Sequence, residues 1–275
     1  MNKLITFIIT LSCLSVFLPF SAMSQGGISA SPSKLFYTFP AGGDDVKKII
    51  IQNPTEKDLE LGLSIGDWEY DSLGNNVITD AGKLSNSCAS WISFPQGNYM
   101  LLKAFERKEV DVVLKAPVEI EKSQPVHTAM IYLTQLNPGK STDGPEGASI
   151  VVSVKMGIKV FHTSETVPSR ELEIADFRHV ESHDKALGSQ LELQLDNLGN
   201  TWLDGRVKVE LVNTSNGKKI KLDVVDFFQM PGDKRFLRLN IPAKTGAGKY
   251  SATAIVSYGD KDELKVAELD FAISK

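Results

Sequence analysis

Apolar and polar residues alternate with a period of two along most of the chain. The clearest alternating segments are residues 59–65, 110–114, 131–133, 191–195 and 207–211. A period of two is typical of β-strands that bury one face. Turn-forming pairs such as Asn53-Pro54 and Asn216-Gly217 separate these segments. Because no long segment has the apolar period of a helix, the pattern predicts an all-β fold.

The order of strands and turns occurs twice. In the first half, an extended segment ends at Asn53 and an alternating strand begins at Leu59; in the second half, a strand ends at Asn197 and another begins at Val207. Each half then has a polar turn before a further strand, at residues 105–108 and 231–234. A length of about 125 residues per half suits an immunoglobulin-like β-sandwich.

The sequence therefore predicts two tandem immunoglobulin-like β-sandwich domains after an N-terminal signal peptide. Residues 1–24 have a lysine, a nearly unbroken apolar run and small residues at the expected cleavage site, as signal peptides do. The predicted domains are residues 25–163 and 164–275, because residues 163–169 form a polar segment of linker type.

Composition and charge exclude several classes of function. The chain has 275 residues, of which 42% are apolar and 23% charged, values that are ordinary for globular proteins. A net charge of -4 gives no basic field for nucleic acid, so no nucleic-acid partner is expected. We expect no membrane span after signal removal. Cys88 is then the single remaining cysteine, so no internal disulfide forms.

Motifs for catalysis are missing from the sequence. Residues 246–250 resemble a phosphate loop but lack its first glycine and its Ser or Thr. His179, Glu181 and His183 alternate and would share one face of a strand, where they could hold a metal; a solvated strand face gives the same spacing. We therefore expect no enzyme activity, no cofactor and no metal site.

The segment from Ile150 to Phe161 has an unusually regular pattern. Every even position from 150 to 160 is apolar, and the odd positions include Lys155 and Lys159. This predicts one long strand with a strongly apolar face. Two interpretations are open: the last strand of the first sandwich with its apolar face inward, or an edge that is offered to a partner through its free main-chain groups.

The layout resembles the periplasmic pilus (fimbrial) assembly chaperones, as a divergent bacterial member. The resemblance covers nearly the whole chain in architecture and is most specific at residues 28–36, similar to the family's first strand, and at residues 150–161, similar to its donor strand. It implies that Lys34 and Lys159 bind the C-terminal carboxylate of a client. Lys34 stands where arginine is typical, which removes bidentate carboxylate binding at that position.

The resemblance also implies the rest of the functional prediction. Ile150, Val152 and Val154 would be the donor-strand residues that contact the client. The chain would be a periplasmic chaperone that caps secreted pilus or surface-fibre subunits by donating an edge strand. An outer-membrane assembly protein is a second candidate partner. The alternative is a structural or adhesive immunoglobulin-like protein of the cell envelope, without chaperone activity.

Overall fold

The computed structural model describes residues 27–121, 123–138, 140–141, 150–164, 167–181 and 189–274. The predicted signal peptide, residues 1–24, lies outside the described residues. Within the described ranges, no helix is long and apolar enough to cross a membrane. These ranges form two β-sandwiches, one after the other in the chain, which confirms the predicted all-β, two-domain fold class.

The first sandwich consists of two packed sheets. Its strands are β1 (Ser29–Ser31), β2 (Lys34–Thr38), β3 (Asp44–Gln52), β4 (Leu59–Tyr70), β5 (Asn76–Asp80), β6 (Ile92–Ser93), β7 (Tyr99–Leu102), β8 (Arg107–Lys115), β9 (Val126–Gln135), β10 (Lys140–Ser141), β11 (Ile150–Val151) and β12 (Lys155–Thr163). One sheet has the order β1-β3-β8-β6, and the other β2-β12-β9-β4-β5 with β7 also beside β4. Within the described ranges, strands β10 and β11 pair only with each other.

The apolar faces of these two sheets meet in one core. Leu61 of β4, Val112 of β8 and Ile131 of β9 are all fully buried, each within a segment whose alternation was read from the sequence. Burying such side chains contributes roughly 1.5–3 kcal/mol each, which drives the sheets together. The period-two prediction is therefore confirmed in this half of the chain.

The second sandwich repeats the arrangement with a smaller first sheet. Its strands are β13 (Leu172–Glu181), β14 (Ser189–Asn197), β15 (Leu203–Asn213), β16 (Lys219–Lys221), β17 (Val225–Gln229), β18 (Lys234–Asn240), β19 (Gly248–Tyr258) and β20 (Glu263–Ile273). The sheet β13-β14-β18 packs on the sheet β16-β15-β19-β20, in which β17 also pairs with β15. Leu193, Leu211 and Val256 lie fully buried between them.

The two buried asparagines at the predicted repeat have the same structural task. Asn53 donates its amide to the carbonyl of Lys57 (2.7 Å) and accepts from the turn N–H of Thr55. Asn197 donates its amide to the carbonyl of Thr201 (2.9 Å) and likewise accepts from a turn N–H. Each asparagine therefore closes the turn after its strand by satisfying polar groups that burial would otherwise leave unpaired.

Aromatic side chains join the two sandwiches. Phe36 of the first sandwich stacks on Phe161 and contacts Trp202 of the second, both at 4.9 Å between ring centroids. Phe161 also packs against Phe228 at 5.3 Å. Trp68 is 1% exposed and extends this cluster. These ring contacts hold a sheet of the first sandwich against a sheet of the second.

A main-chain hydrogen bond reinforces the junction at the turn between β4 and β5. The N–H of Phe236, on β18, donates to the carbonyl of Ser72 at 2.8 Å. In the same turn, Gly74 has a φ of 92°, and a side chain added there would collide with Arg235 of the second sandwich. The turn therefore docks directly against β18.

Candidate functional site

The structure places Lys34 and Lys159 side by side. Strand β2 runs parallel to β12, and the register pairs Lys34 with Lys159 directly, although 125 residues separate them in the sequence. The N–H of Lys159 donates to the carbonyl of Ser33 at 3.0 Å, which holds this register. The two side chains therefore project from the same face of the sheet. Their role as carboxylate ligands stays a prediction.

The ammonium group of Lys159 is held by polar and aromatic groups. Its Nζ donates to the hydroxyl oxygen of Tyr70 (2.8 Å) and to Oδ1 of Asn76 (2.6 Å). It also lies 4.0 Å from the ring of Trp68 and 4.1 Å from that of Tyr70. Burial, and after it the nearby positive charges of Lys34 and Arg235, together lower the pKa of Lys159 to about 8.

Lys34 lies in a similar environment. Its Nζ is 3.8 Å from the ring centroid of Phe228, a cation–π contact with the second sandwich. Burial lowers the pKa of Lys34, and the negative charge of Asp204 partly opposes this. Within the described ranges, neither Lys34 nor Lys159 forms a salt bridge. Both cations are therefore available for an anion.

A third cation, Arg235, comes from the second sandwich. It is 5% exposed, its Nη2 donates to the carbonyl of Phe228 (3.0 Å), and its guanidinium lies 4.7 Å from the ring centroid of Tyr70. Its Nε has no hydrogen-bond partner among the described residues. Burial lowers the pKa of Arg235, against the opposing charges of Asp233 and Asp71.

Sequence reasoning missed Arg235, Tyr70 and Asn76. A signal for Arg235 was present, because β18 carries Leu237 and Leu239 at alternate, buried positions and Arg235 occupies the next place on that face. A charged residue at a core-facing position is costly unless it is paired or has a function.

A cleft with a volume of about 660 Å³ lies between the sandwiches, beside these groups. Lys34, Tyr70 and Gly74 line it from the first sandwich, and Arg235 and Asp204 from the second. The wall formed by the second sandwich carries mixed charge: the side chains of Arg206 and Asp226 pair at 2.7 Å. The cleft has polar and aromatic walls, suited to a small charged group on an extended chain rather than to a large apolar ligand.

The predicted donor segment differs from one long strand. Residues 150 and 151 form β11, which pairs with β10, and β12 begins only at Lys155. Val152 is 61% exposed, whereas Val154 is half-buried against the first core. The side chain of Ile150 lies outside the described part. The prediction of one continuous apolar face from residue 150 is therefore wrong. The buried face starts at Val154, because Val152 lies in the break between the two strands and is exposed.

One side of β12 is open next to the two lysines. Strand β12 pairs with β9 along its whole length, from Lys155 to Thr163, but with β2 only from Lys159 onward. Residues 155–158 therefore have no strand partner on that side among the described residues. The N–H and C=O groups that point to that side, on alternate residues, are a template for an added strand.

The other candidate residues from the sequence are Cys88 and the possible metal ligands. Cys88 is fully buried, and burial raises the pKa of its thiol, which opposes nucleophilic chemistry. Of the possible metal ligands, His183 lies outside the described residues. No group of three or more metal-ligating side chains occurs in the described ranges.

Comparison with known proteins adds the following. No family model matches the chain, and none of the curated proteins compared with it matches. Solved structures of fimbrial chaperones are similar to this chain. The class 5 fimbriae chaperone CfaA has 10% identity and a TM-score of 0.45, over 90% of this chain and 100% of that chain. The CupB2 chaperone of Pseudomonas aeruginosa has 8% identity and a TM-score of 0.44, over 90% and 100%. A chain of the CsuC–CsuE chaperone–subunit complex from Acinetobacter baumannii has 12% identity and a TM-score of 0.46, over 88% and 98%.

Proposed function

We propose that this protein is a periplasmic chaperone that binds secreted, β-rich surface-fibre subunits and caps them by donating an edge strand. The observation that carries the proposal is the direct pairing of Lys34 with Lys159 beside the open edge of β12. In this proposal, Lys34 of β2 and Lys159 of β12 are the carboxylate anchor, and the open edge of β12 beside them is the strand template. The protein acts by binding, without a cofactor and without catalysing a reaction.

The anchor sets the register of the bound strand. A client whose C-terminal carboxylate lies at Lys34 and Lys159 would continue along residues 155–158 of β12, a length of about 13 Å at 3.3 Å per residue. Because side chains alternate between faces, a fixed end determines which client residues face inward. Val154 and Met156, half-buried at the core, provide the apolar contacts next to this edge.

Val152 and Ile150 would extend the client contact beyond β12. Val152 is exposed and therefore free to contact a partner. In this proposal, residues 25–163 form the client-binding domain and residues 164–275 complete the cleft, after export with removal of residues 1–24. An outer-membrane assembly protein would receive the client.

The test is isolation of the tagged mature protein from its own cells, with mass spectrometry of the proteins that copurify. A variant with Lys159→Ala and Val152→Asp runs beside the wild type, and Lys208→Ala, an exposed lysine on β15, is the matched control. We expect a small secreted β-rich protein to be held in equal amount by the wild type and the control and to be lost by the double variant.

The opposite result favours the alternative function. If no such partner appears, and both forms associate alike with the cell envelope, the chain is a structural or adhesive immunoglobulin-like protein. If the client is retained by the double variant, the site lies elsewhere on the molecule.

A further inference from the structure

The hydroxyl group of Tyr70 connects the buried lysine to the cleft. Tyr70 lines the cleft between the sandwiches, and its hydroxyl oxygen accepts a hydrogen bond from Lys159, which also contacts Trp68 and Asn76. An anion bound in the cleft beside the hydroxyl of Tyr70 would therefore lie near the ammonium of Lys159.

The protons at this pair can be counted. A lysine ammonium has three N–H donors and no acceptor, so the Tyr70 oxygen must accept in its contact with Lys159. The hydroxyl proton of Tyr70 then points elsewhere, and no acceptor for it occurs among the described residues. Lys159 donates a second N–H to Asn76, so its third N–H remains to bind an anion.

Two spare donors are thus held next to each other, on atoms 2.8 Å apart. A carboxylate has two oxygens that accept in parallel, which is why the arginine fork binds it well. The Lys159 N–H and the Tyr70 O–H form a comparable pair of donors, although neither residue is an arginine. This offsets the loss of bidentate binding that lysine at position 34 implies.

The surroundings keep Tyr70 protonated and fixed. Its ring lies edge-on to Trp68 at 4.9 Å and has the guanidinium of Arg235 4.7 Å from its centroid. Burial raises the pKa of Tyr70, so the phenol keeps its proton at neutral pH. A hydrogen bond accepted from a cation also polarises the O–H and strengthens it as a donor.

We propose that Tyr70 is a third ligand of the client carboxylate: its hydroxyl donates one hydrogen bond to the anion, beside the one from Lys159. This rests on the proposed function. Arg235 of the second sandwich holds the Tyr70 ring and adds positive charge next to it, so that both sandwiches contribute to the anion site.

Sodium acetate, titrated in place of chloride at constant ionic strength, is the probe for this site. The full mature chain carries ¹³C labels at lysine Cε and tyrosine Cζ, and acetamide serves as the neutral isostere. We expect acetate, and not acetamide, to shift the signals of Lys159 and Tyr70 together along one saturable curve. Tyr70→Phe should bind acetate about tenfold more weakly, the loss of one hydrogen bond to a charged group.

Two further variants separate direct binding from support of the lysine. Asn76→Ala removes the other acceptor of Lys159 but no donor to the anion, so it should weaken acetate binding only about two- to threefold, through looser positioning of the ammonium. Tyr99→Phe, at a 53% exposed tyrosine of the same sandwich, should bind acetate like the wild type.

Each contrary result has a definite meaning. If acetate shifts Lys159 while the Tyr70 signal stays in place, or if Asn76→Ala costs as much as Tyr70→Phe, Tyr70 only supports the lysine and this inference is wrong, while the proposed function stands. If acetate shifts neither Lys34 nor Lys159, the carboxylate anchor itself is wrong, and the proposed function loses its basis.

Discussion

The low pKa of Lys159 predicts that the proposed carboxylate binding is sensitive to mildly alkaline pH. A lysine binds an anion only when it is charged, and its charge is lost as the pH rises through its pKa. With a pKa of about 8, the charged fraction falls from about 90% at pH 7 to about 10% at pH 9, so affinity should fall about tenfold over this range. An ordinary lysine, with a pKa of about 10.4, would lose almost nothing.

Two measurements check this prediction on the full mature chain. The titration of the Lys159 Cε signal gives the pKa directly, and the affinity for acetate or for a captured client is measured at pH 7, 8 and 9. Lys159→Arg is the matched variant: its guanidinium stays charged, so its affinity should be flat over the same range. Tyr70 does not confound the result, because burial raises its pKa.

The predicted loss of affinity between pH 7 and 9 is wrong if Lys159 titrates near 10.4 in the free protein. The two hydrogen bonds from its ammonium and the two aromatic rings would then offset the cost of burial completely. Lys34 also has a pKa lowered by burial, so a fall in affinity that persists in Lys159→Arg would assign the titration to Lys34.

Two further predictions concern the junction and the first core. Gly74→Ala should destabilise the protein by about 2–3 kcal/mol in urea unfolding, because it adds a collision with Arg235 to the cost of a positive φ. The control Gly82→Ala, at a φ of 76° with nothing nearby, should destabilise it by about 1 kcal/mol. Equal losses of stability in the two variants would contradict the contact with Arg235. His127 is buried, and desolvation and then the neighbouring His162 lower its pKa to about 4. The unfolded chain therefore binds a proton at His127 at higher pH than the folded chain does, and the free energy of unfolding should fall by about 2 kcal/mol as the pH drops from 6.5 to 4. In His127→Gln this contribution to the loss of stability should disappear. An unchanged dependence of stability on acid pH in that variant would refute the prediction.

The sequence was most informative about features that depend on local pattern. The period-two alternation of residues 59–65 and 191–195 predicted strands whose apolar faces are buried, because a strand's faces follow from its own residues. Asn53 and Asn197 marked equivalent turns for the same local reason.

Features that depend on contacts between distant segments could not be read in this way. The pairing of Lys34 with Lys159 rests on a parallel register across the chain, and the resemblance to a family suggested both residues without showing that they meet. Tyr70 and Asn76 belong to an ordinary-looking hairpin, and the sequence does not show that it docks against β18, with Tyr70 at the cleft and Asn76 beside Lys159. Val152 fits the apolar alternation, yet the break before β12 exposes it.

The burial of Cys88 gives the protein a built-in reporter of opening. Its thiol has no exposed surface within the first core, and the main-chain N–H of Cys88 donates to the carbonyl of Thr128 on β9. A thiol-specific dye can react there only when this core opens, since the thiol must be solvated and ionised to attack. The rate of dye incorporation would therefore measure how often the core opens in unlabelled, unmutated protein. A client that stabilises the first sandwich when bound would lower that rate.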